Sequence, residues 1–366
     1  MQLSLLIFTY LLVIFSLIPL IRHDYWTFRV FEYPRNQKFL LCLILLVLWA
    51  WVGDPSDTLT LVTIGVLILN MVYLFYQLYP YTFLSPKQLM DCADCTPDRN
   101  ISLLISNVYQ YNRESAKLLQ HISRLKPDVV LLAETDQWWA DQMTPIHQHY
   151  PNRVLQPIDN TYGMLLYSKL KLSDASVKFL VEEGIPSIHA KVTLPSNEQI
   201  QLYCLHPTPP VPQENPRSTE RDKELLMVGK EAKKSKIPVI VAGDMNDVAW
   251  SYTTELFLKT SGLLDPRRGR GFYSTFHAKI PILRFPLDHI FCSSDFKLLE
   301  MQRLKSINSD HFPMYVKLTY DPQAEALQKD NELTLDAEDR EVVEEKIQAD
   351  TDSDGSAKPE KNPIGT

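Results

Sequence analysis

Three uncharged stretches of large apolar residues dominate the start of the chain. Leu3 to Ile21 is a run of 19 residues without a charge, which is long enough to cross the hydrocarbon core of a bilayer. Phe39 to Gly53 is a shorter run of 15 residues, and Lys38 beside it can extend its ammonium group to the interface. Thr58 to Pro86 carries no charge, and its second half holds an aromatic cluster that is typical of a membrane interface. The pattern predicts about three transmembrane helices over residues 1–86.

A cleavable signal peptide is the alternative interpretation of the first run. A signal peptide begins with a basic region, and Met1 and Gln2 supply none. The loop after the first run has more basic than acidic residues, namely Arg22, Arg29, Arg35 and Lys38 against Asp24 and Glu32. Because basic loops stay in the cytoplasm, three spans would place the rest of the chain on the cytoplasmic side of the membrane.

From residue 100 onwards, short apolar runs alternate with turn residues, a pattern that predicts many strands and few helices. A helix is predicted over Ser218–Lys234, and another carries Leu118, Leu119, Ile122 and Leu125 on one face. Such a pattern favours packed sheets covered by helices over a doubly wound parallel sheet. The predicted strands are Ile101–Ser106, Asp128–Ala133, Met164–Tyr167, Ser187–Leu194, Gln199–Leu205, Ile237–Ala242, Leu287–Cys292 and Met314–Leu318.

Charge divides the chain at the same places. The net charge of −7 combines a slightly basic middle part, residues 100–320, with a strongly acidic end, residues 321–366. The basic excess of the middle part is too small to indicate or exclude a nucleic-acid partner. The acidic end lacks apolar runs, so we predict a disordered tail there and a short linker over residues 87–99.

Five cysteines are too few for a disulfide framework at this length. Cys42, Cys204 and Cys292 lie in apolar segments and are interpreted as core residues. Cys92 and Cys95 form a CxxC pair that is half of a zinc site at most. A structural role and a redox or metal role both stay open for this pair.

Polar residues cluster where the predicted strands end. Carboxylate and amide oxygens suit Mg²⁺ or Mn²⁺, and histidines beside carboxylates suit proton transfer and the stabilisation of phosphate charge. The chain has neither the HExxH spacing of zinc hydrolases nor a P-loop. The residues are Asn107, Glu134, His206, Asp244, Asn246, Asp288, His289, Asp310 and His311.

This ordered series resembles the endonuclease/exonuclease/phosphatase superfamily, whose members include DNase I-like nucleases, neutral sphingomyelinases and inositol-phosphate 5-phosphatases. The Gly243–Asn246 segment (GDMN) and the Ser309–His311 segment (SDH) are its most specific elements. The resemblance implies a four-layered α/β sandwich of the DNase I type over residues 100–320. With its apolar start, the chain is similar to the multi-span, membrane-anchored bacterial subgroup, which implies an integral protein of the bacterial inner membrane.

The resemblance also implies a role for each matched residue. By the resemblance, the metal ion is bound by Asn107, Glu134 and Asp310. The expected ion is Mg²⁺, and Mn²⁺ is the alternative. Catalysis falls to five residues: Asp244 activates water, Asn246 binds a phosphate oxygen, His206 protonates the leaving oxygen, and Asp288 orients the phosphate-facing His311. His289 is expected to pack.

The expected activity is Mg²⁺-dependent hydrolysis of a phosphodiester or phosphomonoester, in nucleic acid or in a lipid or inositol head group. Tyr109 stands where apurinic endonucleases have an acidic residue, which disfavours repair of abasic sites. Three arginines, Arg267, Arg268 and Arg270, either bind a polyanionic substrate or are simply solvated. The alternative function is a catalytically silent, membrane-tethered scaffold that binds partners through the acidic tail. No obligate protein partner is indicated.

Overall fold

The N-terminal part of the protein consists of long helices. The computed structural model describes residues 2–93 and 95–351. The helices are α1 (Gln2–Leu17), the single-turn α2 (Trp26–Arg29), α3 (Arg35–Val52) and α4 (Thr58–Leu78). With the short turns that extend two of them, the three long helices are long and apolar enough to cross a membrane. The prediction of three such helices is confirmed, including the shortest run.

These helices pack against each other through a narrow interior. Leu67 and Leu74 are fully buried, and the Trp49 indole donates a hydrogen bond to the Thr9 hydroxyl over 2.9 Å. The outward side chains are large and apolar, such as Leu69, which is 71% exposed. An apolar outer surface of this extent is what a helix bundle presents to lipid. We call residues 2–86 the three-helix segment.

Among the described residues, eleven strands form two sheets over the following part of the chain. The strands are β1 (Asn100–Asn107), β2 (Val129–Ala133), β3 (Asn152–Gln156), β4 (Met164–Ser168), β5 (Lys171–Lys178), β6 (Ser187–Thr193), β7 (Gln199–Leu205), β8 (Val239–Asp244), β9 (Asp288–Cys292), β10 (Phe296–Arg303) and β11 (Met314–Tyr320). The six-stranded sheet has the order β10-β11-β1-β2-β4-β3, and the five-stranded sheet has the order β5-β6-β7-β8-β9.

The two sheets pack face to face, with helices on their outer faces. The main core, which includes Ile105 and Ala242, lies between the sheets. Helices α5 (Ala116–Leu125) and α6 (Gln137–Gln142) cover the six-stranded sheet, and α7 (Thr219–Lys234) and α8 (Tyr252–Ser261) cover the other. The predicted four-layered α/β sandwich is confirmed.

The acidic end of the chain differs from the prediction of disorder from Asp321. Residues 321–351 include α9 (Ala324–Gln328) and α10 (Ala337–Gln348). Asp336 caps α10 through a capping box, and Val343 of α10 is buried against Leu226 and Leu256. A sparse apolar stripe and ion pairs, such as Lys346–Asp222 at 2.7 Å, therefore join this part to the sandwich. The predicted tail beyond it, residues 352–366, lies outside the described residues.

The predicted linker over residues 87–99 is held by the sandwich. Asp91 forms a bridge to Leu298 of β10, and the Cys92 amide donates to the Leu298 carbonyl over 2.9 Å. Cys92 and Cys95 are bonded to each other as a disulfide. The pair is thus joined covalently, next to the bridge between the linker and β10.

The loop between α1 and α3 packs on the sandwich. Arg29 is buried and forms ion pairs with Glu32 at 3.3 Å and with Asp222 of α7 at 3.1 Å. The Tyr33 hydroxyl donates to the Asn246 carbonyl over 2.9 Å, and the Trp250 indole donates to the Glu32 carbonyl over 2.9 Å. The three-helix segment therefore contacts the loop that follows β8.

Candidate active site

The polar residues predicted at the strand ends converge at one edge of the sandwich. In the parallel pair β1–β2, Asn107 lies opposite Ala133, so Glu134 follows directly beside it. In the antiparallel pair β8–β9, Asp244 lies opposite Asp288. The Asn107 amide nitrogen donates to Glu134 Oε1 over 2.6 Å and to Asp244 Oδ2 over 2.9 Å. Asn107 therefore connects Glu134, beside the six-stranded sheet, to Asp244 of the five-stranded sheet through hydrogen bonds.

Local backbone geometry places two of these side chains. Glu134 has a φ of 56° and Asn246 a φ of 49°, which is the left-handed region that most side chains avoid. Asn tolerates this region, whereas Glu pays a steric cost that functional sites commonly carry. Gly243 has a φ of 145°, and a Cβ there would lie 2.0 Å from the Leu205 carbonyl oxygen. Only glycine allows β7 and β8 to approach so closely beside the site.

His311 lies between two buried carboxylates. Its Nδ1 is 2.8 Å from Asp288 Oδ2, and its Nε2 is 3.5 Å from Asp244 Oδ2. Burial alone would lower the pKa of His311, but Asp288 and Asp244 outweigh burial and raise the pKa to about 10. Burial would likewise raise the pKa of Asp244, but His311 and His206 hold it below its usual value. At neutral pH the site thus contains a histidinium beside ionised Asp244.

Glu134 and Asp310 lie at the half-buried, outer part of the site. Burial and the neighbouring Asp310 carboxylate raise the pKa of Glu134 to about 8. The cluster holds four carboxyl groups, Glu134, Asp310, Asp244 and Asp288, beside the single cation of His311, and their mutual repulsion disfavours the charge of Glu134. An enclosed excess of carboxylate oxygens fits a hard divalent cation.

The structure offers two arrangements for such an ion. Asp244, Asp288 and His311 have ligand atoms within 4.8 Å of one another and could hold a metal. His311 is committed to Asp288 as a hydrogen-bonded pair, and a protonated imidazole is no ligand. Glu134 and Asp310 offer only oxygen atoms and are more exposed, so they fit a Mg²⁺-like ion better. The Asn107 oxygen accepts from the Tyr109 amide over 2.9 Å, so Asn107 orients the Glu134 carboxylate.

His206 lies at the end of β7 with 2% of its surface exposed. Its Nδ1 has no hydrogen-bond partner among the described residues, and its ring packs on Tyr162 with centroids 5.2 Å apart. Burial lowers the pKa of His206, while the nearby Asp244 opposes this shift. The buried Nδ1 of His206, which has no partner among the described residues and lies beside the carboxylates, is therefore available to a substrate. Next to His206, the Asn246 side chain donates to the carbonyl of Pro207 over 2.9 Å.

The three predicted substrate-binding arginines contact the protein itself, and Arg267 donates to the carbonyl of Asp288 in this cluster over 3.4 Å. Arg267 is buried in an ion pair with Asp265 at 2.8 Å and donates to His289. Arg270 pairs with Asp91 at 2.6 Å, and Arg268 lies 5.5 Å from the Tyr81 ring centroid. These contacts tie the linker and the three-helix segment to the sandwich. Their binding of a polyanionic substrate stays a prediction.

His289 packs, as expected. It is 1% exposed, receives a hydrogen bond from Arg267 at Nδ1 and donates from Nε2 to the Asp247 carbonyl over 2.8 Å. Burial lowers its pKa to about 3, so it stays neutral. Sequence analysis missed Tyr162 and Tyr33, which contact His206 and Asn246. Both lie far from any motif, so no sequence signal marked them.

Comparison with known proteins finds solved structures of similar fold. TDP2 from D. rerio, complexed with single-strand DNA product, is 19% identical with a TM-score of 0.51, covering 60% of this chain and 99% of that one. The human nocturnin catalytic domain with bound sulfate is 18% identical with a TM-score of 0.50, covering 62% and 96%. Such low identities show the fold alone.

No curated protein sequence matches the chain. The model of the endonuclease/exonuclease/phosphatase family matches residues 103–311, more than half of the 366 residues. The chain therefore belongs to this family of metal-dependent phosphoester hydrolases.

Proposed function

We propose that this protein is a membrane-anchored, Mg²⁺-dependent phosphoesterase that hydrolyses a phosphodiester or phosphomonoester by in-line attack of water. One observation carries the proposal. Asn107 joins Glu134 and Asp244 from the two sheets, directly beside the histidinium of His311. The site thus brings together carboxylates that can bind a cation, a carboxylate that can accept a proton, and a fixed positive charge. Phosphoester hydrolysis requires these three kinds of group.

Each side chain has a task that follows from its surroundings. Glu134 and Asp310 would hold the ion, and Asn107 keeps the Glu134 carboxylate in place. A bound divalent ion neutralises phosphate charge and lowers the pKa of a water molecule. Asp244 is ionised and can accept the proton of the attacking water.

The remaining residues act on the phosphate and the leaving group. His311, kept protonated by Asp288, stabilises the charge that grows on the phosphate oxygens. Asn246 binds a phosphate oxygen, and its backbone is fixed by Tyr33. His206 protonates the leaving oxygen. The Asp244 carboxylate already raises the pKa of the His206 ring against the effect of burial, and the negative charge of an arriving phosphate raises it further.

Two substrate classes remain within this proposal. The D. rerio TDP2 structure contains a single-strand DNA product, which favours nucleic acid by analogy alone. The three-helix segment favours a phosphoester near a membrane. The slightly basic middle part of the chain favours neither.

The test is turnover of p-nitrophenyl phosphate and bis(p-nitrophenyl) phosphate by the full-length protein in detergent. We expect EDTA to abolish hydrolysis and Mg²⁺ or Mn²⁺ to restore it. Hydrolysis that continues at the same rate in EDTA would refute metal dependence. No turnover of any phosphoester under these conditions would favour the silent scaffold.

We propose that the sandwich lies on the cytoplasmic side of the bacterial inner membrane. The basic loop after α1 contacts the sandwich, so the two lie on the same side, and loop charges favour the cytoplasm. The Cys92–Cys95 disulfide argues for an oxidising compartment. Labelling of a cysteine placed at the exposed Lys171 (K171C) in intact cells decides between them: a membrane-impermeant maleimide reaches it only if the sandwich faces outward.

A further inference from the structure

One loop of the sandwich has an apolar surface that the fold leaves uncovered. Residues 279–284, here called the KIPILR loop, precede β9. Ile280, Ile282 and Leu283 are 40%, 72% and 43% exposed, and Lys279 and Arg284 flank them. An exposed aliphatic cluster between two cations is typical of segments that rest in the interface of an anionic membrane.

The loop lies level with the start of a predicted membrane span. The Gln37 side chain donates to the Ile282 carbonyl over 2.8 Å. Gln37 lies in the first turn of α3, two residues before Phe39, where the apolar part of that helix begins. Phe39 lies 6.1 Å from Phe75 near the end of α4, so these two helix ends share one level. The exposed side chains of the KIPILR loop therefore lie at the boundary between the sandwich and the apolar helices.

Exposed aromatic and aliphatic side chains continue this surface beyond α4. Phe83 and Leu84 are 83% and 74% exposed. Phe83 lies close to Gly271, where an added Cβ would meet its ring at 3.4 Å. Apolar side chains are thus exposed at two places where the sandwich meets the three-helix segment, at the KIPILR loop beside Gln37 and at Phe83 beside Gly271.

The same loop borders the active site. The Phe276 ring, at the start of this turn, lies 5.0 Å from the His311 ring. The Ala278 amide donates to the Asp310 carbonyl over 2.5 Å, and the Lys279 ammonium lies 5.4 Å from the Tyr109 ring centroid. A substrate that reaches His311 past this loop therefore starts from the level of the membrane surface.

We propose that the KIPILR loop inserts into the bilayer interface and that the substrate is the phosphoester of a lipid head group. This inference rests on the phosphoesterase function proposed above. Ile280, Ile282 and Leu283 enter the outer hydrocarbon, and Lys279 and Arg284 pair with lipid phosphates. The catalytic residues then face the head groups, and a long nucleic acid would have to approach between the membrane and the sandwich.

The first experiment compares substrates in two phases. Full-length wild type and the double variant I282S/L283S are assayed with Mg²⁺ on phosphatidylcholine vesicles that contain phosphatidylinositol phosphate, sphingomyelin or phosphatidic acid. Each is also assayed on bis(p-nitrophenyl) phosphate and on a single-stranded oligonucleotide. L327S is the matched control, since Leu327 is 66% exposed on α9, outside the KIPILR loop.

We expect I282S/L283S to lose about tenfold or more of its activity on vesicle lipid, because two side chains no longer gain from entering hydrocarbon. Its activity on bis(p-nitrophenyl) phosphate should not change, and L327S should resemble wild type throughout. Equal lipid turnover by I282S/L283S, or oligonucleotide cleavage faster than that of every lipid, would overturn the inference while leaving the phosphoesterase proposal intact. Failure of wild type on all substrates would instead refute the phosphoesterase proposal.

A second measurement tests insertion without any turnover. A nitroxide attached to I282C in proteoliposomes should collide more often with oxygen than with a water-soluble nickel complex, and one attached to K171C should show the reverse. The free cysteines Cys42, Cys204 and Cys292 are buried and should not react with the label. Equal nickel accessibility at the two positions would overturn the loop's placement.

Discussion

Asn107 and His311 show how individual residues acquire their roles from neighbours that are distant in sequence. Asn107 is joined to Asp244, 137 positions away, and His311 is joined to Asp288. The family resemblance implied that Asp288 orients His311, and the 2.8 Å contact agrees with that pairing. The protonated state of His311 could not be predicted, because it arises from the balance of burial against two carboxylates.

Asp288 and His311 should act as one unit. We expect D288N to reduce kcat about as much as H311A, since either change removes the protonated histidine that faces the phosphate. The double variant should then be little worse than either single variant. Steady-state kinetics of the three variants make the test, and fully additive losses would show that the two residues act separately.

His206 should affect substrates according to their leaving groups. H206A should slow esters of aliphatic alcohols about 10²–10⁴-fold, the usual effect of general acid catalysis. It should slow p-nitrophenyl esters much less, because that leaving group needs little protonation. If both classes slow equally, His206 only packs at the end of β7.

At the scale of elements, the contact between the α1–α3 loop and α7 was not predictable from sequence. Eight of the eleven described strands and their polar ends were predicted, because apolar runs and turn residues mark them locally. The strands β3, β5 and β10 were missed, because they lie at sheet edges and are only partly buried. The buried ion pairs of Arg29 could not be predicted, because nothing in the sequence indicates that Arg29 lies beside Asp222. Likewise, α10 packs on α7 through a sparse apolar stripe and the Lys346–Asp222 ion pair. The composition of this highly charged segment alone does not distinguish it from a disordered one.

The buried pairs of Arg29 predict a large effect on stability. R29A leaves Glu32 and part of Asp222 uncompensated, which typically costs about 3–5 kcal/mol. K191A is a matched control, since Lys191 pairs with Asp174 at 2.7 Å on the exposed surface, where such pairs contribute little. We expect the Tm of R29A in detergent to fall by roughly 6–20 °C and that of K191A to stay nearly constant. Equal shifts would show that the Arg29 network is dispensable.

At the scale of the whole molecule, contacts join the three-helix segment to the sandwich. The three-helix segment covers a cluster that includes Trp250, Phe285 and Leu287 next to the site. Sequence analysis places every catalytic residue within residues 100–320, which predicts an independent domain. The structure adds apolar and ionic contacts on both sides of that range.

A truncated chain of residues 97–351 should therefore be less stable than the full-length protein. Removal of the three-helix segment exposes the Trp250 cluster to water and leaves the Asn246 carbonyl without the Tyr33 hydroxyl. We expect a lower Tm and aggregation unless detergent is present, and the further loss of residues 321–351 should worsen both. A truncated chain that is monomeric, as active as the full-length protein and equally heat-stable would contradict this account.

The most direct test of the central claim is the activity of E134Q in the full-length protein. This change keeps the shape of the side chain and removes the charge that would hold a divalent ion beside Asp310. We expect kcat on p-nitrophenyl phosphoesters to fall at least about 10²-fold at saturating Mg²⁺, with Tm unchanged or slightly raised, because burial and Asp310 already disfavour the charge of Glu134. Activity of E134Q equal to that of wild type would contradict the metal-dependent site described here.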